Sequence, residues 1–232
     1  RGAGLVVTNT PDVLTDDTAD LAIALMLMAC RRLGEGERLV RAGAWDGWRP
    51  TQHLGRRLSG RTLGLVGYGR IGQAVAQRAR AGFGMTVQYW SPRAPARDAW
   101  GHRAGSLGEL LATSDVVSLH CPATPATRHL IDAAALAAMP PHAVLVNTAR
   151  GDVVDEAALV AALQAGRLAG AGLDVYEREP ALAPGLVDLP NVVLLPHLGS
   201  ATVETRDAMG LRAVENLRAV LLAGGPPPDP VG

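Results

Sequence analysis

Two rhythms of apolar residues alternate along this chain. Continuous runs rich in β-branched residues occupy positions 62–66, 85–90, 115–120, 143–148, 172–175 and 191–195, and read as strands buried on both faces. Stretches with helical spacing lie between and after them at 73–81, 107–112, 133–139, 156–163 and 202–222, the last with Val214, Leu217 and Leu221 on one face. This alternation predicts an α/β fold, a doubly wound parallel sheet of the Rossmann type. Nearer the start, 5–8 predicts a short strand and 9–12 a turn. Positions 18–33 predict a helix apolar on both sides, with Leu21, Leu25 and Met28 on one and Ile23, Leu27 and Cys30 on the other. Such a helix belongs in the core or between domains or subunits, and Arg31, Arg32 and Gly34 suit its C-terminal end. A polar helix candidate and the irregular segment 45–50 fill positions 35–58. Residues 224–228, Gly-Gly-Pro-Pro-Pro, end the last helix and begin an extended tail.

Composition narrows the function classes. The 232 residues are 48% hydrophobic, enough to bury one large domain or a domain plus a fragment. The 22 acidic residues balance 22 basic ones, all arginine, so no net field draws the chain to nucleic acid or a membrane surface. Without lysine there is no Schiff-base amine and no Walker-type phosphate ligand. Cys30 and Cys121 give neither a disulfide framework nor a metal-ligand spacing, and read as packed thiols of a cytoplasmic protein. The longest apolar run, 21–30, is too short to span a bilayer. The chain opens at Arg1 with a strand entered partway, which points to missing upstream sequence.

Chemistry enters at Gly67, Gly69 and Gly72, spaced G-x-G-x-x-G between a strand and a helix-forming run that closes at Gly82. Gly67 permits the turn, Gly69 admits a pyrophosphate to the backbone, and Gly72 lets the helix lie close on the sheet. The flanking elements rank a dinucleotide site above a plain structural turn. Ligands of such sheets lie beyond the carboxyl ends of the strands. Those ends carry Ser91-Pro92-Arg93, Cys121-Pro122, Ala149-Arg150-Gly151, residues 176–179 and Pro196-His197-Leu198-Gly199. Singly, Arg150, Glu179 and His197 each read as ordinary loop residues. Sharing one rim, they suit hydride transfer to a 2-keto acid: a guanidinium for the carboxylate, a histidine to protonate the carbonyl oxygen, and a carboxylate to hold the imidazole. About 20 residues past the glycines, a cofactor with a free ribose calls for an acid. Ser91 stands there instead, and Arg93 is free to bind a 2′-phosphate, so NADP(H) is preferred and NAD(H) possible.

Longer motifs carry a resemblance. They are Val7-Thr8-Asn9-Thr10-Pro11, Gly64 to Gly72, Ser114 to Pro122, Asn147-Thr148-Ala149-Arg150-Gly151, Gly172 to Pro180, and Pro196 to Thr202. In this order the sequence resembles the D-isomer-specific 2-hydroxyacid dehydrogenase family nearly end to end. The resemblance implies that Arg150 binds the substrate carboxylate and carbonyl, that Glu179 pairs with His197, and that His197 donates the proton. It further implies a cofactor site lined by Arg70, Ile71, Cys121, Pro122, Thr127, Thr148, Ala149, Asp174 and Gly199. The substrate would be a small 2-keto or 2-hydroxy acid such as glyoxylate or hydroxypyruvate, and the assembly a homodimer. Most of the family's N-terminal substrate region is not in this sequence. Residues 1–14 correspond to its remnant, 15–200 to the dinucleotide-binding domain, and 201–232 to a helix and tail that return to the substrate domain. In that reading the helix at 21–28 would be exposed and the tail would have little to pack against. The alternative function is a cofactor-binding module without turnover, a sensor or a truncated product.

Overall fold

The computed structural model describes residues 5–92 and 99–231. Strands β1 (Thr62–Val66), β2 (Thr86–Trp90), β3 (His102–Arg103), β4 (Val116–Leu119), β5 (Val144–Asn147), β6 (Gly170–Leu173) and β7 (Val192–Leu194) form one sheet. Its order is β3-β2-β1-β4-β5-β6-β7, and every pairing is parallel. The order reverses between β1 and β4, the switch point where doubly wound sheets take ligands.

Two apolar layers sandwich the sheet. Leu63 and Leu65 of β1 face a cluster with Leu25 and Met26 of α1 (Thr15–Cys30) and Val75 of α3 (Arg70–Phe83), with α2 (Leu33–Arg41) between them in sequence. Val66 faces the opposite way, toward Leu110 of α4 (Leu107–Thr113), Leu136 of α5 (Ala133–Ala138) and Leu159 of α6 (Glu156–Gln164). Alternate residues of one strand thus serve opposite layers, as the pleat requires. Each fully buried leucine or methionine contributes about 1.5–3 kcal/mol of transfer free energy. Helix starts are fixed by side-chain caps: Ser106 accepts from Glu109 N–H, Asp132 from Ala135, Asp155 from Ala158, and Thr202 from Thr205 at the head of α7 (Val203–Leu221).

Several expectations are corrected. Residues 5–8 form no strand of the sheet; Thr8 makes an isolated antiparallel bridge to Pro230, and Val231 N–H donates to Val7 at 2.9 Å. The tail therefore has a partner, reinforced by Arg212 and Asn216 of α7, which both bond the Asp229 carboxylate. The first helix ends at Cys30, and Arg32, not Gly34, takes the left-handed conformation at φ 55°. Gly34 instead lies inside α2. Gly84, at φ 60°, rather than Gly82, caps α3. Helix α1 is not laid bare: Ala22, Leu25 and Met26 are buried against α3, β5, β6 and β7, and Leu21, Leu27 and Met28 are half-buried. The exposed apolar face is that of α7, where Leu217 is 58% and Leu221 73% accessible. No described helix is long and apolar enough to cross a membrane.

Candidate active site

Beyond the switch point lies a cleft of about 860 Å³, lined by Ile71, His120 to Ala123, Thr148 to Arg150, Asp174, His197, Gly199 and Ser200, with α1 and α7 closing one side through Thr18 and Arg206. The glycine turn reaches it through Ile71. Gly67 has φ 94°, and a Cβ there would meet the main chain of His120 and Cys121 at 2.7 Å. Gly67 N–H donates to Trp90 and His120 N–H to Val66, each at 2.8 Å, so the tips of β2, β1 and β4 are stitched together. A Cβ at Gly72 would meet the Gly67 carbonyl at 2.5 Å, whereas one at Gly69 would meet nothing within 4 Å. The first glycine makes the turn, the third packs the helix on it, and the second leaves space. No side chain caps α3 and no acid sits in its first turn, so its N–H groups and dipole are available to an anion. Two further polar atoms in the cleft, Thr148 Oγ1 and His120 Nδ1, are buried without a partner among the described residues. An open cradle at a helix start with unspent polar groups beside it fits a dinucleotide.

The remaining cofactor-side residues are placed in different ways. Ile71, Cys121, Pro122, Thr148 and Ala149 line the cleft; burial pushes the Cys121 thiol up to about 11, so it stays neutral. Arg70 turns toward Asp12, with Nε 2.8 Å from the carboxylate. Thr127 is not at the cleft wall; its hydroxyl donates to the Pro122 carbonyl at 2.6 Å and accepts from Thr124 N–H, which folds the 122–127 loop. Ser91 and Pro92 follow β2, while Arg93 lies outside the described residues. Arg103, not singled out in the sequence, donates from Nη2 to the Ser91 carbonyl at 2.9 Å.

Of the three candidate catalytic side chains, Arg150 and His197 line the cleft and Glu179 stands bonded to the histidine. His197 Nδ1 is 2.8 Å from Glu179 Oε2, and Glu179 Oε1 accepts from Tyr176 N–H at 3.0 Å. Burial works against the Glu179 charge, but His197, the Tyr176 N–H and Arg150 outweigh it and hold the carboxyl below its ordinary value. With Glu179 ionised, Nδ1 donates its proton to that carboxylate, and Nε2 is not engaged by it. His197 stands at φ 57°, a left-handed conformation held by a dense set of bonds. Its own N–H donates to the Asp174 carbonyl at 2.9 Å, and the Asp174 carboxylate accepts from Leu198 N–H at 2.7 Å and Gly199 N–H at 2.8 Å. Burial raises the Asp174 pKa against those two bonds. Thr18 of α1 adds a bond to the Gly199 carbonyl at 2.8 Å. Asp174 thus lines the cleft and also shapes the histidine loop.

Asn147 sets the arginine loop: its side chain accepts from Ala149 N–H at 3.0 Å and donates to the Arg150 carbonyl at 2.9 Å. Gly151 lets that loop touch the next one, since a Cβ there would lie 1.8 Å from the Tyr176 carbonyl carbon. Buried Glu156 accepts from Glu177 N–H at 2.8 Å and fixes the other side of the Glu179 loop. No role was read from the sequence for Thr18, Asn147, Glu156 or Arg103. Only Asn147 carried a local signal, a side-chain amide at a strand end able to close an Asx turn.

The sequence profile of the "D-isomer specific 2-hydroxyacid dehydrogenase, NAD binding domain" matches residues 23–199. A curated relative described as glyoxylate reductase, from Thermococcus litoralis, is 50% identical over 230 residues, covering 97% of this chain and 69% of its own length. A solved structure from Thermus thermophilus superposes with a TM-score of 0.93 at 52% identity, covering all of this chain and 73% of that one. Another, the NADPH-dependent glyoxylate/hydroxypyruvate reductase of Sinorhizobium meliloti with NADP and malonate, gives 0.91 at 43% identity, covering 100% and 72%. Family profile, relative and superposed folds agree with the geometry, and the chain belongs to the D-isomer specific 2-hydroxyacid dehydrogenases, an oxidoreductase family.

Proposed function

We propose that this protein reduces a small 2-keto acid, glyoxylate or hydroxypyruvate, with NADPH, through Arg150, Glu179 and His197. The observation that carries the proposal is the 2.8 Å bond between His197 Nδ1 and Glu179, with His197 lining the cleft that Arg150 and Ile71 of the glycine motif also line. When bound, the nicotinamide supplies the hydride for the keto carbon. The chain supplies the rest. The Arg150 guanidinium grips the substrate carboxylate and draws charge onto the carbonyl oxygen. Glu179 keeps Nδ1 protonated and the ring oriented, so Nε2–H points at that oxygen and gives it a proton as the alkoxide develops. The buried Asp174 carboxylate holds the Leu198 and Gly199 N–H groups, which keeps the histidine in register with the cofactor end of the cleft.

Thr148, Ala149 and Asp174 would stand beside the nicotinamide, Gly67 to Gly72 with Ile71 beside the pyrophosphate, and Cys121 and Pro122 beside the adenosine half. The preference for NADPH rests on Ser91 where an acid would repel a 2′-phosphate. It is supported by the relative whose structure was described with NADP. A cytoplasmic homodimer completes the proposal, and light scattering of the purified protein tests the assembly. Initial rates with glyoxylate and hydroxypyruvate, each with NADPH and NADH, test the function. Turnover favouring NADPH supports it. Cofactor binding without oxidation would favour a binding module.

A further inference from the structure

Parallel pairing of β2 and β3 sets Tyr89 opposite Arg103, so the arginine emerges at the rim just beside the end of β2. From there it reaches Ser91, with 2.9 Å between Nη2 and the carbonyl oxygen. Among the described residues that is its one acceptor, and no carboxylate pairs with it. A guanidinium carries five N–H donors in a fixed planar fork. Tethering one of them fixes the plane and leaves the others without a partner among the described residues at the tip of β2. That tip is where this sheet class reads the adenosine ribose. The edge position of β3 also matters, because it puts the cation on the side of β2 away from β1 and the glycine turn.

We infer that Arg103 binds the 2′-phosphate of NADPH and sets the cofactor preference of this enzyme. The inference rests on the NADPH reading of the proposed function and adds the residue that recognises the phosphate. The anchored fork suits bidentate contact with phosphate oxygens, and the free ribose hydroxyl of NADH offers it no charge.

Dissociation constants for NADPH and NADH, read by quenching of protein fluorescence, test this in the wild-type protein, Arg103→Gln and Arg103→Lys, with melting curves to confirm folding. Titrations with ADP-ribose, its 2′-phosphate and inorganic phosphate separate recognition of the cofactor's ester from binding of any phosphate. The expected result is a loss of about 10- to 100-fold for NADPH in Arg103→Gln, the range of a hydrogen bond to a charged group, with NADH within twofold. Arg103→Lys should fall between, since it keeps the charge and loses the fork. Equal losses for both cofactors would mean a structural role and overturn the inference. Wild-type preference for NADPH that survives unchanged in Arg103→Gln would overturn it alone. A wild-type preference for NADH would remove the reading beneath it as well.

Discussion

Replacing Gly151 with alanine should both destabilise the protein and disarm it. The new Cβ would lie 1.8 Å from the Tyr176 carbonyl carbon, 2.0 Å from its oxygen and 2.3 Å from Glu177 N, all main-chain atoms. Carbon atoms pack comfortably at about 3.5–4.0 Å, so the loops must part by roughly 2 Å. The Tyr176 loop is poorly placed to yield. Tyr176 donates its hydroxyl to Leu195 at 2.8 Å, and Glu177 N–H is held at 2.8 Å by the buried Glu156. Overpacking costs about 1–3 kcal/mol, and breaking the bond to the Glu156 carboxylate about 1.5–3 more. At about 2–4 °C per kcal/mol for a chain of this size, Tm should fall by on the order of 10 °C. A shift of about 1 Å at Glu179 or Arg150 costs on the order of 100-fold in kcat. Differential scanning calorimetry and steady-state kinetics measure both. Gly210→Ala is the control: it lies within α7 with open space at its Cβ, and should stabilise by about 0.5–1 kcal/mol. If Gly151→Ala melts with the wild type and turns over normally, the loops are not interlocked as described.

Other consequences are as direct. His197→Gln should lower kcat for reduction by about 10²- to 10⁴-fold, and an unchanged kcat removes His197 from the mechanism. Burial pushes His120 down to about 4, so the folded protein holds it neutral while the unfolded chain protonates it below about 6.5. Stability from this group is complete above that value and is lost as pH falls toward 4, amounting to about 3 kcal/mol at most. His120→Asn should therefore flatten the decline of Tm across that window, and a parallel decline would refute the assignment. Burial also raises both cysteine thiols to about 11. Thiol reagents at neutral pH should label Cys30 and Cys121 only after denaturant is added, and rapid labelling of the native protein would contradict their burial.

The rim chemistry was legible because parallel strands all deliver their next residues to one edge. Once the strands were placed, Arg150, Glu179 and His197 had to share that edge, and the glycine turn marked its centre. What pairs with what was less open to reading. Glu156 looks like an ordinary acid in the first turn of a helix, yet its use is a long-range bond to Glu177. Arg103 belongs to a strand of two residues at the sheet edge, too short for any periodic signal. The polar helix candidate within 35–58 forms as Leu33–Arg41, starting two residues earlier, framed by the Arg32–Glu35 pair and anchored by Arg38, which donates to the Pro190 carbonyl at 2.9 Å. Positions 5–8 have the apolar content of a strand, but β3 and β7 already end the sheet, and their partner is the distant tail.

The seat of α1 imposes an order on folding. This first helix lies against β5, β6 and β7, strands more than a hundred residues downstream, and Thr18 ties it to Gly199. A chain emerging from the ribosome makes this helix well before β5, β6 and β7. Until β6 and β7 have joined the sheet, Leu25 and Met26 have no complete surface to cover them, and closing so long a loop is slow. The nascent helix can meet β1 and α3 soon after it is made, but part of its apolar surface stays open until β5, β6 and β7 follow, a condition that favours swapped or aggregated forms. Assembly of this site therefore depends on late contacts, with the histidine loop and the first helix locking together in the final stage.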